Sequence, residues 1–171
     1  KTGSRIVFVF PRLGFVVKVA RIRLWRGLKS LWGFSKFGFF WKGLLLCSED
    51  AFGSPRRFWF KGLRDNWMER SFYKSSPCRD FLQPTVFSLL GLVNIQIWGR
   101  ILSQEEFDSA RLWPRFYDLT EGKVHEDGHH FTEGHNFCVV DGELKMVDYG
   151  SPKTREVVSK WGEVFVREIR L

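Results

Sequence analysis

The residues best able to do chemistry lie between Val124 and Gly150, where the sequence reads VHEDGHHFTEGHNFCVVDGELKMVDYG. This segment holds all four histidines of the chain, together with carboxylate, amide and thiol side chains. Imidazole and thiolate groups are typical zinc ligands, whereas carboxylate and amide oxygens hold magnesium in phosphate-transfer sites. A polar loop that precedes a hairpin is the third interpretation of the same residues.

A zinc site would draw on several side chains of this segment. The candidate ligands are His125, His129, His130, His135, Asp127, Glu133 and Cys138. An i, i+4 pair such as His125 and His129 would share one face of a helix. Glycines interrupt the segment, however, and no recognised spacing of zinc ligands emerges. The pattern favours a polar loop whose histidines contact solvent or backbone.

Three hairpins are expected to position these residues. The runs SRIVFVF and GFVVKVARI flank PRLG, which predicts an antiparallel hairpin from Ser4 to Arg23. Lys18 lies in its second strand, on the face opposite its two valine neighbours. Two strand-like halves around Leu90-Gly91 predict a second hairpin. The Asp141-Gly142 pair between NFCVV and ELKMV predicts the third.

Two helices are expected between the strands. LRDNWMERSFYKSS predicts a helix capped by Asp65 or Asn66, with Glu69 as the capping-box partner if Asn66 is the cap. Ser103 followed by Glu106 forms a second capping-box pattern, which predicts a short helix in SQEEFDSARLW.

The first third of the chain is strongly basic, since residues 1–43 carry ten Lys and Arg and no acidic residue. From Leu24 to Trp41 these cations alternate with aromatic residues. The pattern favours a short irregular helix that packs its aromatic side chains on the sheet and leaves its cations outside. It also suits single-stranded nucleic acid or a membrane surface. The stretch from Ser48 to Phe60 is typical of a loop with a Gly-Ser-Pro turn.

In this order, the elements resemble the small lobe and catalytic segment of the protein-kinase-like superfamily, including its shorter bacterial and phage members. Lys18 in FVVKVAR resembles the lysine of the third strand, and Glu69 in DNWMERSFY resembles the helix glutamate that pairs with it. HNFCVVDGELKMVDYG resembles the end of the catalytic loop and the Asp-Phe-Gly motif. The match is specific from Asn136 to Gly150.

The resemblance implies a site for ATP and Mg²⁺. Lys18 would orient the phosphates and be held by Glu69, while Asn136 and Asp148 would ligate the metal. These roles are those that phosphoryl transfer requires: a cation on the phosphates and hard oxygen ligands for magnesium.

The position of the family's catalytic aspartate, five residues before the asparagine, is Phe131 here. Asp127 could act as the base only in a loop longer than the family's. Two functions follow. One is a phosphotransferase that acts on a protein or small-molecule hydroxyl. The other is a catalytically inactive pseudokinase whose basic N-terminal third binds nucleic acid or a protein partner. Association into a homo-oligomer is a further expectation.

The resemblance also implies a single α+β domain over residues 1–171. The antiparallel sheet and helix of a kinase-like small lobe would span 4–102 with an insertion at 24–60, and a truncated catalytic-loop and Asp-Tyr-Gly segment would span 103–171. Only 21 residues follow Gly150, which predicts a short tail and little of the large lobe. No apolar run of about 18 residues occurs, so no spanning helix is expected. Three cysteines without a CxxC pair and no signal-peptide pattern indicate a cytoplasmic protein.

Overall fold

The structure is a computed structural model that describes residues 3–36, 54–127 and 130–169. It combines antiparallel sheets with helices, which confirms the α+β class. The strands are β1 (Arg5–Phe10), β2 (Phe15–Ala20), β3 (Thr85–Leu89), β4 (Val93–Ile97), β5 (Arg100–Ile101), β6 (Phe137–Val140) and β7 (Glu143–Met146). The helices are α1 (Leu24–Lys36), α2 (Pro55–Trp59), α3 (Lys61–Ser75), α4 (Gln104–Ser109), α5 (Leu112–Leu119) and α6 (Pro152–Glu168).

The first sheet has four antiparallel strands in the order β1-β2-β4-β3. The first two predicted hairpins, β1–β2 and β3–β4, form where the sequence predicts them. The second one turns at Leu90 and Gly91, which have φ of 48° and 72°. A Cβ at Gly91 would lie 2.5 Å from the Leu63 carbonyl oxygen, so this turn packs closely on α3. In the centre of the sheet, Lys18 pairs with Val7 on one side and Asn94 on the other.

Helix α3 begins at Lys61 rather than at Asp65 or Asn66, so the predicted capping box is wrong. The chain is already helical before those residues, because α2 leads into α3 through Phe60. Asn66 and Glu69 are therefore interior helix positions, and both side chains are buried against the sheet. Glu69 is therefore a buried core carboxylate and not a helix-capping residue.

The second sheet has the order β5-β6-β7 and shares a hydrophobic core with α4, α5 and α6. The predicted capping box is confirmed, since the Ser103 side chain accepts from the Glu106 N–H and Glu106 accepts from the Ser103 N–H. The Asp141-Gly142 hairpin is also confirmed. Its two turn residues have φ of 52° and 84°, the left-handed geometry that this dipeptide favours.

The segment after Gly150, predicted only as a short tail, contains a helix of 17 residues. Proline occupies its first turn, where a missing N–H costs nothing. Phe165 is fully buried, with its ring 5.1 Å from Phe81 and 5.0 Å from Phe116. Helix α6 thereby completes the main hydrophobic core, which lies around the second sheet.

The basic aromatic segment is a regular helix over its described part, and its packing differs from the prediction. Trp25 and Trp32 are 70% and 69% exposed instead of packing on the sheet. The opposite face of α1 packs on α2, where a Cβ at Gly27 would overlap the Trp59 indole. Residues 37–53 lie outside the described residues, and the loop predicted to continue to Phe60 contains α2. Among the described helices, none is both long and apolar enough to cross a membrane.

Candidate functional site

A buried ion pair joins the centre of the first sheet to α3. The Lys18 Nζ donates to both carboxylate oxygens of Glu69, at 3.2 and 3.4 Å. Lys18 is 4% exposed and Glu69 is fully buried. In such surroundings an ion pair is retained only if each group has good partners, because desolvation of the two charges is costly.

Asn66 holds α3 in the position that this pair requires. Its Nδ2 donates to the carbonyl oxygens of Lys18 and Gly91, at 3.2 and 2.9 Å. In return, Asn94 Nδ2 donates to the Asn66 carbonyl oxygen at 2.7 Å. These bonds tie the helix to β2, to β4 and to the turn between β3 and β4, one helical turn before Glu69. The carboxylate therefore projects onto Lys18 from a rigid base.

A second cation, Arg5, contacts the same carboxylate. Its guanidinium donates to Glu69 Oε1 and, at 3.2 Å, to Asp148 Oδ1. The pairing of Val7 with Lys18 in the β1–β2 ladder places Arg5 on the lysine's side of the sheet. Arg5 thus links Glu69 to Asp148, and the four side chains form one charged cluster.

The segment that follows β7 and carries Asp148 is fixed by hydrogen bonds to the backbone of Val147. Lys18 Nζ donates to the Val147 carbonyl oxygen at 3.0 Å, and the Val147 N–H donates to the Asn136 carbonyl oxygen at 2.8 Å. Asn136 is 5% exposed and immediately precedes β6. Lys18, Asn136 and the residues around Asp148 are therefore neighbours in the fold.

Tyr149 anchors the segment on the other side of Asp148. It is completely buried, and its hydroxyl lies 2.8 Å from the carbonyl oxygen of Gln83 and 2.8 Å from Thr85 Oγ1. The Gln96 Nε2 is a further partner at 3.3 Å. Burial, with the nearby Glu69 charge, raises the pKa of Tyr149 well above its ordinary value. Tyr149 is thus an uncharged, buried side chain whose hydrogen bonds fix the backbone position next to Asp148.

The charges of the cluster shift one another's titration. Burial lowers the pKa of Lys18 more than Glu69 raises it, and the Arg5 charge lowers it further. For Arg5, burial is outweighed by Glu69 and Asp148, so its pKa is raised. Burial also raises the pKa of Asp148, but Arg5, Lys18 and His130 outweigh it and lower that pKa to about 2. Asp148 is therefore ionised at neutral pH, with its side chain 40% exposed.

The catalytic-loop predictions concern Asp127 and Phe131. Asp127 ends a 3₁₀ segment (Lys123–Asp127), and its side chain lies outside the described residues. Phe131 is fully buried and packs edge-on to Phe116 at 5.3 Å. The position where the resembled family has its catalytic aspartate is thus a core position in this chain.

The histidine metal site finds no support among the described residues, which leave out His129. Within them no group of three His, Cys, Asp and Glu side chains is close enough to hold a metal ion. His135 is exposed and lies 3.1 Å from Glu133. Cys138 is instead buried, and burial raises its pKa to about 12.

Sequence reasoning missed Arg5, although a signal for it existed. The predicted hairpin sets the register of β1 against β2, and that register puts Arg5 near the end of the strand pair on the Lys18 face. A cation on this face needs a carboxylate, and α3 supplies it. The contact between Arg5 and Glu69 arises because α3 covers this face of the sheet, and the sequence alone does not show that packing.

No protein-family model, curated protein or solved structure matches this chain.

Proposed function

We propose that this protein binds ATP with Mg²⁺ at the cluster formed by Lys18, Glu69 and Asp148. The observation that carries the proposal is the Lys18–Glu69 pair at 3.2 Å, next to an ionised and partly exposed Asp148. A lysine fixed by a carboxylate presents a localised charge for phosphate oxygens, and an exposed carboxylate beside it suits a divalent cation.

An apolar surface beside Lys18 supports nucleotide binding. Val7 pairs with Lys18 and Val9 pairs with Val16, so strand alternation puts these side chains on one face of the sheet. Val7 and Val9 are each 51% exposed, although they lie on the face that buries Lys18. A purine base packing on them would bring its phosphates toward the lysine, since ligand sites combine apolar walls with a few charged groups.

The residues near Asp148 fit a magnesium ion. Asp148 offers an ionised, partly exposed carboxylate, and Asn136, which immediately precedes β6, could supply an amide oxygen. Hard oxygen ligands of this kind are what Mg²⁺ prefers. When bound, the ion would neutralise phosphate charge. Its approach requires Arg5 to move away from Asp148 Oδ1, a contact that holds the carboxylate in place before ligand arrives.

Transfer of the γ-phosphate to a protein or small-molecule hydroxyl needs a carboxylate base as well. Phe131 cannot serve, because it is an apolar side chain buried in the core. Asp127 is the remaining candidate in this segment, and we assign it that role as part of the proposal. A cytoplasmic location, where ATP is abundant, belongs to the same proposal.

Calorimetric titration with Mg-ATP tests the binding. The wild type should bind one nucleotide per chain, binding should weaken when EDTA removes the metal, and Asp148→Ala should abolish the metal-dependent part. The matched control is Asp118→Ala, which removes an exposed carboxylate from α5 and should bind as the wild type does. Unchanged binding in Asp148→Ala would exclude Asp148 as the metal ligand.

A second candidate function is that of a catalytically inactive module that binds single-stranded nucleic acid through its basic N-terminal third. The observation that favours it is the exposed face of α1, where Trp25, Leu28 and Trp32 are 70%, 50% and 69% exposed. Arg26 and Lys29 lie on the same helix. Bases stack on exposed indole rings, while neighbouring cations neutralise phosphates.

Tryptophan fluorescence with a single-stranded oligonucleotide separates the two candidates. The binding module should show quenching that weakens steeply between 50 and 200 mM salt, and Trp25→Ala with Trp32→Ala should remove it. Substitution of Phe87, which is 49% exposed on β3, provides a control of similar exposure away from the helix. Quenching that persists in the tryptophan double variant would argue against α1 as the binding surface.

A further inference from the structure

A cavity of about 570 Å³ opens at one end of the first sheet, next to the Arg5 and Asp148 side of the charged cluster. It lies between the first residues of β1, the end of β2, helices α2 and α3, and the segment after Tyr149. Six cationic side chains line it: Arg5, Arg21, Arg23, Arg57, Lys61 and Arg64. Two carboxylates, Asp65 and Asp148, line it as well, together with His130. The lining therefore has four more positive than negative charges when the histidine is neutral.

Each of the two carboxylates already has cationic or hydroxyl partners. Asp65 accepts from the Ser4 hydroxyl at 2.7 Å and lies 3.6 Å from Lys61 Nζ. Asp148 accepts from Arg5 at 3.2 Å. Among the described residues, the cations of the lining thus outnumber its carboxylates by six to two. Burial, followed by the charges of Arg21 and Arg26, lowers the pKa of Arg23, a sign of repulsion among these arginines.

The cations project from tightly connected backbone. The Arg21 N–H donates to the Ser4 carbonyl oxygen at 2.8 Å, and the Arg23 N–H donates to the Phe58 carbonyl oxygen at 3.0 Å. A Cβ at Gly62 would lie 2.3 Å from the Ser4 carbonyl oxygen, so the first turn of α3 touches the edge of the sheet. This packing holds like charges together before any ligand arrives, and such preorganisation favours binding.

We propose that this cavity binds a small molecule with two or more phosphate groups, through Arg21, Arg23, Arg57 and Arg64. The arginine fork matches phosphate oxygens in pairs, and several such contacts offset the mutual repulsion of the cations. The volume lies in the range of small-molecule sites, roughly 300–1,000 Å³. A pocket of this size suits a compact phosphate ester better than a nucleic-acid strand. Arg5 and Asp148 border both this cavity and the proposed nucleotide site, but the four proposed ligand arginines are not part of the Lys18–Glu69 pair.

Inorganic tripolyphosphate without metal is the probe, and calorimetry at two salt concentrations is the measurement. The wild type should bind one equivalent, more weakly at higher salt. Arg57→Glu with Arg64→Glu should weaken this binding at least about tenfold, as expected for the loss of charge-assisted contacts. Arg12→Glu with Lys74→Glu makes the same change of net charge at exposed positions outside the cavity and should leave the affinity within about twofold.

A second pair of substitutions tests whether a loss of binding in the first pair is caused by misfolding. Arg21→Gln with Arg23→Gln removes two other cations of the lining, on the chain that leaves β2, and should weaken binding of the probe to a similar degree. Absence of saturable binding in the wild type would overturn the proposal. So would equal weakening by the cavity and control pairs, because that result indicates only the net charge of the chain.

Two cross-experiments separate this site from the nucleotide site and from α1. Lys18→Met should leave tripolyphosphate binding unchanged. If Mg-ATP binding survives Lys18→Met but is lost in the cavity variants, the cavity is supported as a phosphate site and the nucleotide assignment fails. If a single-stranded oligonucleotide displaces tripolyphosphate and the tryptophan variants of α1 remove both, the cavity proposal fails.

Discussion

Substitution of Glu69 by glutamine should destabilise the protein far more than substitution of its partner Lys18 by methionine. Glu69 is fully buried and accepts hydrogen bonds from Lys18, Arg5 and Gln96. Glutamine has nearly the same shape, so the change removes charge with little loss of packing. It leaves Lys18, 4% exposed, and Arg5, with 13% of its side chain exposed, without their shared carboxylate.

The magnitude follows from the cost of uncompensated buried charge. Removal of one partner from a buried ion pair costs about 3–5 kcal/mol, and Glu69→Gln should lie in that range because Lys18 loses its carboxylate partner and Arg5 retains only the partly exposed Asp148. Lys18→Met instead leaves Glu69 paired with Arg5. Burial is the largest influence on Lys18 and lowers its pKa, which means that the fold disfavours its charge. A methionine there should change the free energy of unfolding by no more than about 1 kcal/mol.

Urea denaturation followed by circular dichroism measures both free energies, and the double variant completes a cycle. The account predicts that Lys18→Met added to Glu69→Gln recovers part of the lost stability, because it removes the buried cation that has lost its carboxylate partner. Equal destabilisation by the two single variants would refute the reasoning, since it would mean that Arg5 does not share the Glu69 carboxylate.

Three further substitutions have definite expected outcomes, all measured by urea denaturation. Tyr149→Phe should cost about 1–3 kcal/mol, because it leaves buried hydroxyl partners unsatisfied, whereas Tyr117→Phe, at a position 45% exposed, should change stability by less than about 0.5 kcal/mol. Asp148→Asn should flatten the stability profile between pH 4 and pH 2: because burial and its partners set a folded pKa of about 2 against the ordinary 3.8, ionised Asp148 stabilises the fold above pH 4 and this is lost as pH falls. That shift corresponds to at most ~2.4 kcal/mol, or about 1 kcal/mol after solvent screening at 40% exposure. Gly62→Ala should cost roughly 2 kcal/mol or more, because its Cβ would lie 2.3 Å from the Ser4 carbonyl oxygen; a stability equal to that of the wild type would show that the helix and strand are not in contact.

The sequence was most informative where local chemistry determines local structure. The Asp141-Gly142 turn requires left-handed φ values that few other residue pairs adopt cheaply, so the hairpin follows from two residues. The Ser103–Glu106 box satisfies two helix N–H groups reciprocally, and it forms as predicted. These features depend on contacts within a few residues of chain.

Features that depend on distant contacts were not predictable in this way. The start of α3 is set by α2 and by the approach of Gly62 to the sheet, so the capping pattern at Asn66 was misleading. The tail becomes a helix because Val158 and Phe165 fit a core that only the completed fold creates. The contact of Arg5 with Asp148 spans 143 residues, and no sequence pattern identified it.

The most direct test of the central claim is the melting temperature of the wild type and of Lys18→Met, with and without millimolar Mg-ATP. A ligand at ten times its Kd stabilises the native state by about 1.4 kcal/mol, which corresponds to a rise of about 3–5 °C for a chain of this size. The account predicts this rise in the wild type and its loss in Lys18→Met, with both proteins folded. An equal rise in the two proteins, or none in the wild type, would contradict nucleotide binding at the Lys18–Glu69–Asp148 cluster.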